Sequence, residues 1–301
     1  MYDNLDLYCK KIENNNMIYS VDKLRLKTYI TYFQFSELEF LMKTAYKEKV
    51  KKFWVSDRVM CFKYNYAVEI EEGKSFYFGF MHNNENVSYH KENLTYNFTM
   101  EFNPNKIRDD KLLKHILCKF DNWLLRSLDL AIDIPINICD LLIDIRGKRK
   151  MQTISYGGDN LTHSYGKNDG RIKIYNKKIE SNLPIPGDLT RVEVSREFDD
   201  FEIAKIKTFN FGKEFFPCIY LNKYLFSFLE EKTKNKTLMA ILYAVQAGYP
   251  LKDLTRDYRK KIKDLLEGGS SIKFDEKSAN QAFCQLIYYY FVNFEAKQRI
   301  Y

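Results

Sequence analysis

The stretch Gly170-Arg-Ile-Lys-Ile-Tyr-Asn-Lys-Lys178 alternates as a β-strand does, with Ile172 and Ile174 on one side and Arg171, Lys173, Tyr175 and Lys177 on the other. The first side is made to pack; the second gathers a phenol among cations. A phenol in water has a pKa of about 10, so it is a poor nucleophile near neutrality unless positive charge or a metal favours the phenolate. The same cations attract a phosphate. A tyrosine that attacks a phosphodiester needs both. The plainer reading is one of 23 tyrosines lying under lysine stems on an ordinary strand face.

Outward from there, the Asn168-Asp-Gly170 turn and the Gly157-Gly158 pair predict hairpins that bring extended pieces at 152–156 and 163–167 to the Tyr175 strand. Residues 189–195 predict a neighbouring strand with Val192 and Val194 on one side and Arg191, Glu193 and Ser195 on the other. Residues 128–134 put Leu128, Leu130, Ile132 and Ile134 on one face and Asp129, Ala131 and Asp133 on the other, and aspartate is disfavoured in a central strand. Asp129, Asp133 and Glu193 are the oxygen donors that a hard ion such as Mg2+ or Mn2+ takes while keeping positions open for phosphate. Strand positions four apart lie about 13 Å from one another, so one aspartate is expected to ligate and the other to act from behind it or from the strand end. Two solvated aspartates on an exposed sheet face are the plainer alternative.

Toward the N-terminus, residues 23–33 predict a strand, and Ser36-Glu-Leu-Glu39 predicts the capped start of a helix running to about 49. Extended segments at 53–56, 59–71, 75–82 and 94–102, separated by Asn and Gly clusters, predict antiparallel strands. Pro104 stops the last of them, leaving Glu101 near a strand end, and Asp109-Asp110 opens a helix expected to reach about 125. A helix or loop follows over 136–145. From about 221 the pattern turns helical, at 221–229, 237–246, 252–267 and 276–296. The expected fold class is α+β: a mostly antiparallel sheet with packed helices forming a catalytic region over 1–210, then a helical region over 211–301.

Forty-eight Lys and Arg against 40 Asp and Glu leave a net charge of +8, which favours an anionic partner, nucleic acid first. Within 252–267, Arg256, Arg259, Lys260, Lys261 and Lys263 form a basic stripe, either a solvated helix face or a contact to DNA phosphates. The six cysteines have no close pair, so neither a zinc knuckle nor a redox pair is written, and the usage suits a reducing cytoplasm. The four histidines are far apart and form no His-x-His pair, so carboxylates must do most of the holding of any metal. No apolar run is long enough to span a membrane and the first residues lack the order of a signal peptide, so a cytoplasmic protein is expected.

Five blocks, Glu101-Phe-Asn-Pro-Asn-Lys106, Leu128-Asp-Leu-Ala-Ile-Asp133, Tyr165-Gly166, Arg171-Ile-Lys-Ile-Tyr-Asn-Lys-Lys178 and Arg191-Val-Glu-Val194, stand in an order that resembles the Rep_trans replication initiators of Gram-positive rolling-circle plasmids, with related relaxases of integrative elements. The resemblance implies that Tyr175 is the nicking nucleophile and that a divalent ion is needed. It also implies that a double-stranded origin is recognised through C-terminal residues, at the position of the 256–263 segment, and that the protein is a homodimer recruiting a superfamily 1 helicase. The reading is then a strand transferase in which Tyr175 forms a 5′-phosphotyrosyl bond at a hairpin-presented origin of a plasmid. Arg171 and Lys173 lower the phenol pKa or hold phosphate, and Asp129, Asp133 and Glu193 place the ion. A conjugative relaxase and a non-enzymatic origin-binding protein are the competing readings.

Overall fold

Two strands at the middle of the chain's sheet organise the rest. In the computed structural model, Ile18–Thr31 (β1) and Leu124–Ile134 (β7) pair antiparallel. The residues described are 17–55, 62–82, 88–90, 93–107, 110–145, 151–155, 161–167, 169–210, 218–221, 234–246, 249, 251–267, 271–272 and 276–291. The partners of the central pair are Val50–Val55 (β2), Phe62–Glu71 (β3), Lys74–His82 (β4), Ser88–His90 (β5) and Asn93–Phe102 (β6) on one flank. On the other flank stand Met151–Ser155 (β9), Leu161–Tyr165 (β10), Ile172–Asn176 (β11) and Thr190–Glu202 (β12), while Leu141–Asp144 (β8) leaves for a second sheet.

The order across the large sheet is β2-β3-β4-β6-β1-β7-β12-β11-β10-β9, with β5 hairpinned onto β6 and all pairs antiparallel. Each half follows one path. The chain lays a central strand, jumps to the outer edge, and returns strand by strand until the last pairs with the first. The halves are two wings meeting at β1 and β7.

Alternation assigns the faces. Leu24, Leu26, Phe78, Phe98, Leu128, Leu130, Ile132, Ile174 and Val192 share one core, and helices Tyr32–Lys43, Lys111–Lys119 and Glu276–Tyr288 add Phe35, Leu38, Leu113, Ile116, Phe283 and Ile287 to it. Each such side chain contributes about 1.5–3 kcal/mol by leaving water. The other face carries the polar residues. Along β1 the alternation survives a bulge between Val21 and Lys23: Asp22 is the residue that has no partner on β7. The fold is α+β, as its sequence pattern predicts.

Several boundaries differ from expectation. The first helix starts at Tyr32, because Thr31 and Gln34 form a capping box; the expected cap, Ser36, lies inside the helix and its hydroxyl donates to the Tyr32 carbonyl at 2.9 Å. The second helix is capped by Asp110 and ends at Lys119, and a strand begins at Leu124 in which Leu128, Leu130, Ile132 and Ile134 are buried with a two-residue period. A second sheet joins β8 to Cys218–Leu221 (β13) and Ser271–Ile272 (β14), and the Tyr290 hydroxyl donates to the Pro104 and Ile107 carbonyls at 2.9 and 2.6 Å. Residues on both sides of the expected 210/211 division therefore share a sheet and a core. Helices Lys236–Gln246 and Arg256–Glu267 keep a small core of their own from Leu238, Leu242, Val245, Leu251 and Ile262. The helix expected over 221–229 falls, beyond Leu221, outside the described residues. Among the described residues no helix is long and apolar enough to cross a membrane.

Candidate active site

The registers of β7, β12 and β11 bring the polar positions of three strands side by side. Asp133 faces Arg191, Ala131 faces Glu193, and Asp129 faces Ser195; in turn Arg191 faces Tyr175 and Glu193 faces Lys173. All lie on the sheet face away from the core. β1 adds Ser20 opposite Ala131 and, through its bulge, Asp22.

Arg191 is the anchor. Its Nε and Nη2 donate to the two oxygens of Asp133 at 2.5 and 2.6 Å, and its Nη1 donates to Asp22 Oδ2. The fork geometry suits a planar guanidinium, and two carboxylates offset its burial. Beside it the Tyr175 hydroxyl donates to Glu193 Oε2 at 3.3 Å, while Lys173 Nζ stands 3.5 Å from Glu193 Oε1. Arg171 Nη2 donates to Ser195 Oγ at 3.1 Å. Lys177 Nζ lies 5.8 Å from the centre of the Tyr175 ring and 2.8 Å from Glu180.

Sequence-local devices hold this layout. Asn176 ends β11 by accepting from the Ile179 amide, capping the one-turn helix Lys177–Glu180, and the Lys177 amide donates to Leu189 at 2.8 Å. Leu183, Ile185 and Leu189 then cluster with Ile18. Tyr175 is left 8% exposed.

Burial holds the Tyr175 phenol well above its usual range; Arg191 pulls it down, and Glu193, Asp22 and Glu180 push it up. Burial also raises the Glu193 carboxyl, against the pull of Lys173 and with Asp22 and Asp129 adding to the rise. The phenol stays protonated near neutrality and has a carboxylate to receive its proton. Arg191 is a cation that lowers the phenol pKa, while Lys173 is engaged by Glu193 and Arg171 by Ser195; of the two roles expected of Arg171 and Lys173, lowering the phenol pKa or holding phosphate, the second is the one these partners leave to them.

Two of the three carboxylates expected to place an ion already have partners. Asp133 is fully buried and clasped by Arg191, and Glu193 is held by Lys173 and the phenol. Among the described residues no group of three or more His, Cys, Asp or Glu is arranged to hold a metal. Asp129 and Asp133 do not share one ion, for the reason strand geometry already supplied: they are too far apart along β7. The buried Ser20 Oγ and Arg171 Nε on this face have no hydrogen-bond partner among the described residues.

The basic stripe lies on helix Arg256–Glu267, with Arg256, Lys260 and Lys261 exposed and Lys263 half-buried. Arg259 departs from it. Its guanidinium donates to the carbonyls of Leu251 and Leu254 at 3.1 and 2.9 Å and to that of Lys252, closing the turn before the helix. Sequence reading placed Arg191 on the polar face but gave it no role, although its position two residues before Glu193 was a usable signal. Asp22 falls just before the strand expected from residue 23, where the bulge interrupts the two-residue alternation.

No family model matches the chain, and no curated protein matches it. Among solved structures it is similar to the rolling-circle replication initiator protein from Geobacillus stearothermophilus, at 12% identity and a TM-score of 0.36, over 84% of this chain and 97% of that one.

Proposed function

We propose that the protein initiates rolling-circle replication of a plasmid by nicking one strand of its double-stranded origin through Tyr175. The observation that carries the reading is the buried Tyr175 hydroxyl donating to Glu193 on a face lined by Arg191 and Lys173. Glu193 takes the phenol proton as the Tyr175 oxygen attacks phosphorus. The new bond is a 5′-phosphotyrosyl ester; the bond that breaks is to the 3′ oxygen, which leaves with a proton from Lys173 as a 3′-hydroxyl primer. One phosphodiester replaces another, so the strand can be religated. Arg191, held rigid by Asp133 and Asp22, is the fixed positive charge beside the reacting oxygen. The target is a single strand or an extruded hairpin, since a duplex obstructs in-line attack.

The remaining assignments rest on the sequence resemblance. Residues 1–210 cut and rejoin, residues 211–301 recognise the origin with Arg256, Lys260, Lys261 and Lys263, the working form is a homodimer in the cytoplasm, and a superfamily 1 helicase opens the duplex. The resemblance also implies Mg2+ or Mn2+, and no step here is routed through it. The test is supercoiled origin plasmid incubated with protein and Mn2+. Nicked circles and an SDS-stable protein–DNA adduct are expected, both lost in Tyr175→Phe; an adduct formed by that variant overturns the nucleophile.

A further inference from the structure

We infer that the opposite wing of the same sheet face binds single-stranded nucleic acid by stacking bases on Trp54 and Tyr77. The inference rests on the nucleic-acid part of the proposed function and on none of its covalent chemistry. Register places the residues. Trp54 faces Asn65, Asn65 faces Gly79, Tyr77 faces Glu101, and Glu101 faces Arg25, which leads through Ser127 on β7 to the face of Asp129 and Glu193.

The rings are organised for display. Tyr77 lies back along β4, where only a glycine admits it: a Cβ on Gly79 would stand 2.5 Å from the Tyr77 hydroxyl oxygen and 2.6 Å from the Phe62 ring. The Tyr77 hydroxyl donates to Asn65 Oδ1 at 2.7 Å, which fixes the ring's tilt. The half-exposed Trp54 ring sits 6.0 Å from it at an interplanar angle of 32°. Exposed Lys52 stands 5.1 Å from the Trp54 ring centre on β2, the outermost strand of this wing, while the neighbouring Lys51 ammonium pairs with Glu69 at 3.0 Å.

Partly exposed rings near one another on a polar sheet face, with the Lys52 ammonium beside them, match unpaired bases on a phosphate backbone. A duplex hides its base faces and gains nothing from such rings. Five strand spacings, about 24 Å, separate β4 from β11, so one strand can engage both wings.

The chain has two tryptophans, and Trp123 is 2% exposed with its Nε1 donating to the Leu117 carbonyl, so a nucleic-acid-dependent change in emission reports Trp54. The experiment titrates full-length Tyr175→Phe protein with fluorescein-labelled oligothymidylate by anisotropy, and with the unlabelled oligomer by tryptophan emission. Quenching that saturates at the anisotropy midpoint is expected. Trp54→Ala and Tyr77→Ala should each weaken binding about five- to 150-fold, which is about 1–3 kcal/mol per stacked base; Trp54→Phe should retain most of the affinity, which separates stacking from misfolding. Binding without quenching, no binding, or Trp54→Ala binding as tightly as its parent overturns the inference. A wild-type chain that forms no adduct but is quenched refutes the nicking reading and leaves this one standing.

Discussion

The two wings of the large sheet trace one path and put different chemistry on it. In the first, Arg25 of β1 faces Glu101 of β6, and Tyr77 stands on the next strand. In the second, Asp133 of β7 faces Arg191 of β12, and Tyr175 stands on the next strand. The ion pair recurs with its signs exchanged, and burial separates the two: the side chains of Arg25 and Glu101 are 46% and 30% exposed, those of Arg191 and Asp133 6% and 0%. So does the partner of the phenol. Tyr77 donates to an amide oxygen, which cannot take its proton, and Tyr175 to a carboxylate, which can. A tyrosine on a polar sheet face becomes a nucleophile only when an acceptor for its proton and a fixed cation are buried with it.

Substitution can break that contrast. Tyr175→Phe should reduce adduct formation to background, about 10^4-fold or more, while Tyr77→Phe leaves it intact; equal losses would make the wings functionally alike. Glu193→Gln should slow nicking of a single-stranded oligonucleotide about 10^2- to 10^4-fold, with binding of that oligonucleotide preserved. For the ion pairs the readout is the urea midpoint. Arg191→Met strands two carboxylates and should cost about 3–5 kcal/mol, against about 0–1 kcal/mol for the exposed Arg25→Met. Similar shifts would mean that burial is not what distinguishes the wings.

A smaller effect sharpens the same point. Burial raises Glu193 above its ordinary value of 4.5, so the folded chain keeps a proton there that the unfolded chain has released. Stability is therefore lost as pH rises through the window just above that value. Glu193→Gln does not titrate, so its melting temperature should gain on wild type with rising pH in that window; a flat difference would show that the carboxyl is not raised. Outside the wings, Lys260→Ala with Lys261→Ala should lower the salt slope of origin binding by about 2 and spare cleavage of a single strand, whereas Arg259→Ala should chiefly destabilise the turn at Leu251–Leu254.

The second wing was the more legible from sequence. Ile172 and Ile174 against Lys173 and Tyr175, and Val192 and Val194 against Arg191 and Glu193, carry a period of two that assigns both strands and the shared face. What that period cannot carry is pairing across strands, so the clasp of Arg191 on Asp133, which removes an expected metal ligand, was hidden. Local chemistry competed elsewhere. Ser36 looks like a cap, but Thr31 with Gln34 forms the box five residues earlier, at the end of β1. Arg259 reads as one more cation until its guanidinium is seen closing a turn. The first wing's Trp54 and Tyr77 gave no signal at all, because their proximity depends on two hairpins and on Gly79.

At its bulge β1 carries Asp22, which has no partner on β7, and a second irregularity leaves Arg126 of β7 without a partner on β1. On the N-terminal side of Asp22, Ile18 and Ser20 share the polar face, and on its C-terminal side Lys23 and Arg25 do. Deleting Asp22 would join the two runs in phase, every other side chain keeping its face. The residue that the alternation of the central strand does not need is thus the one that gives Arg191 its second carboxylate.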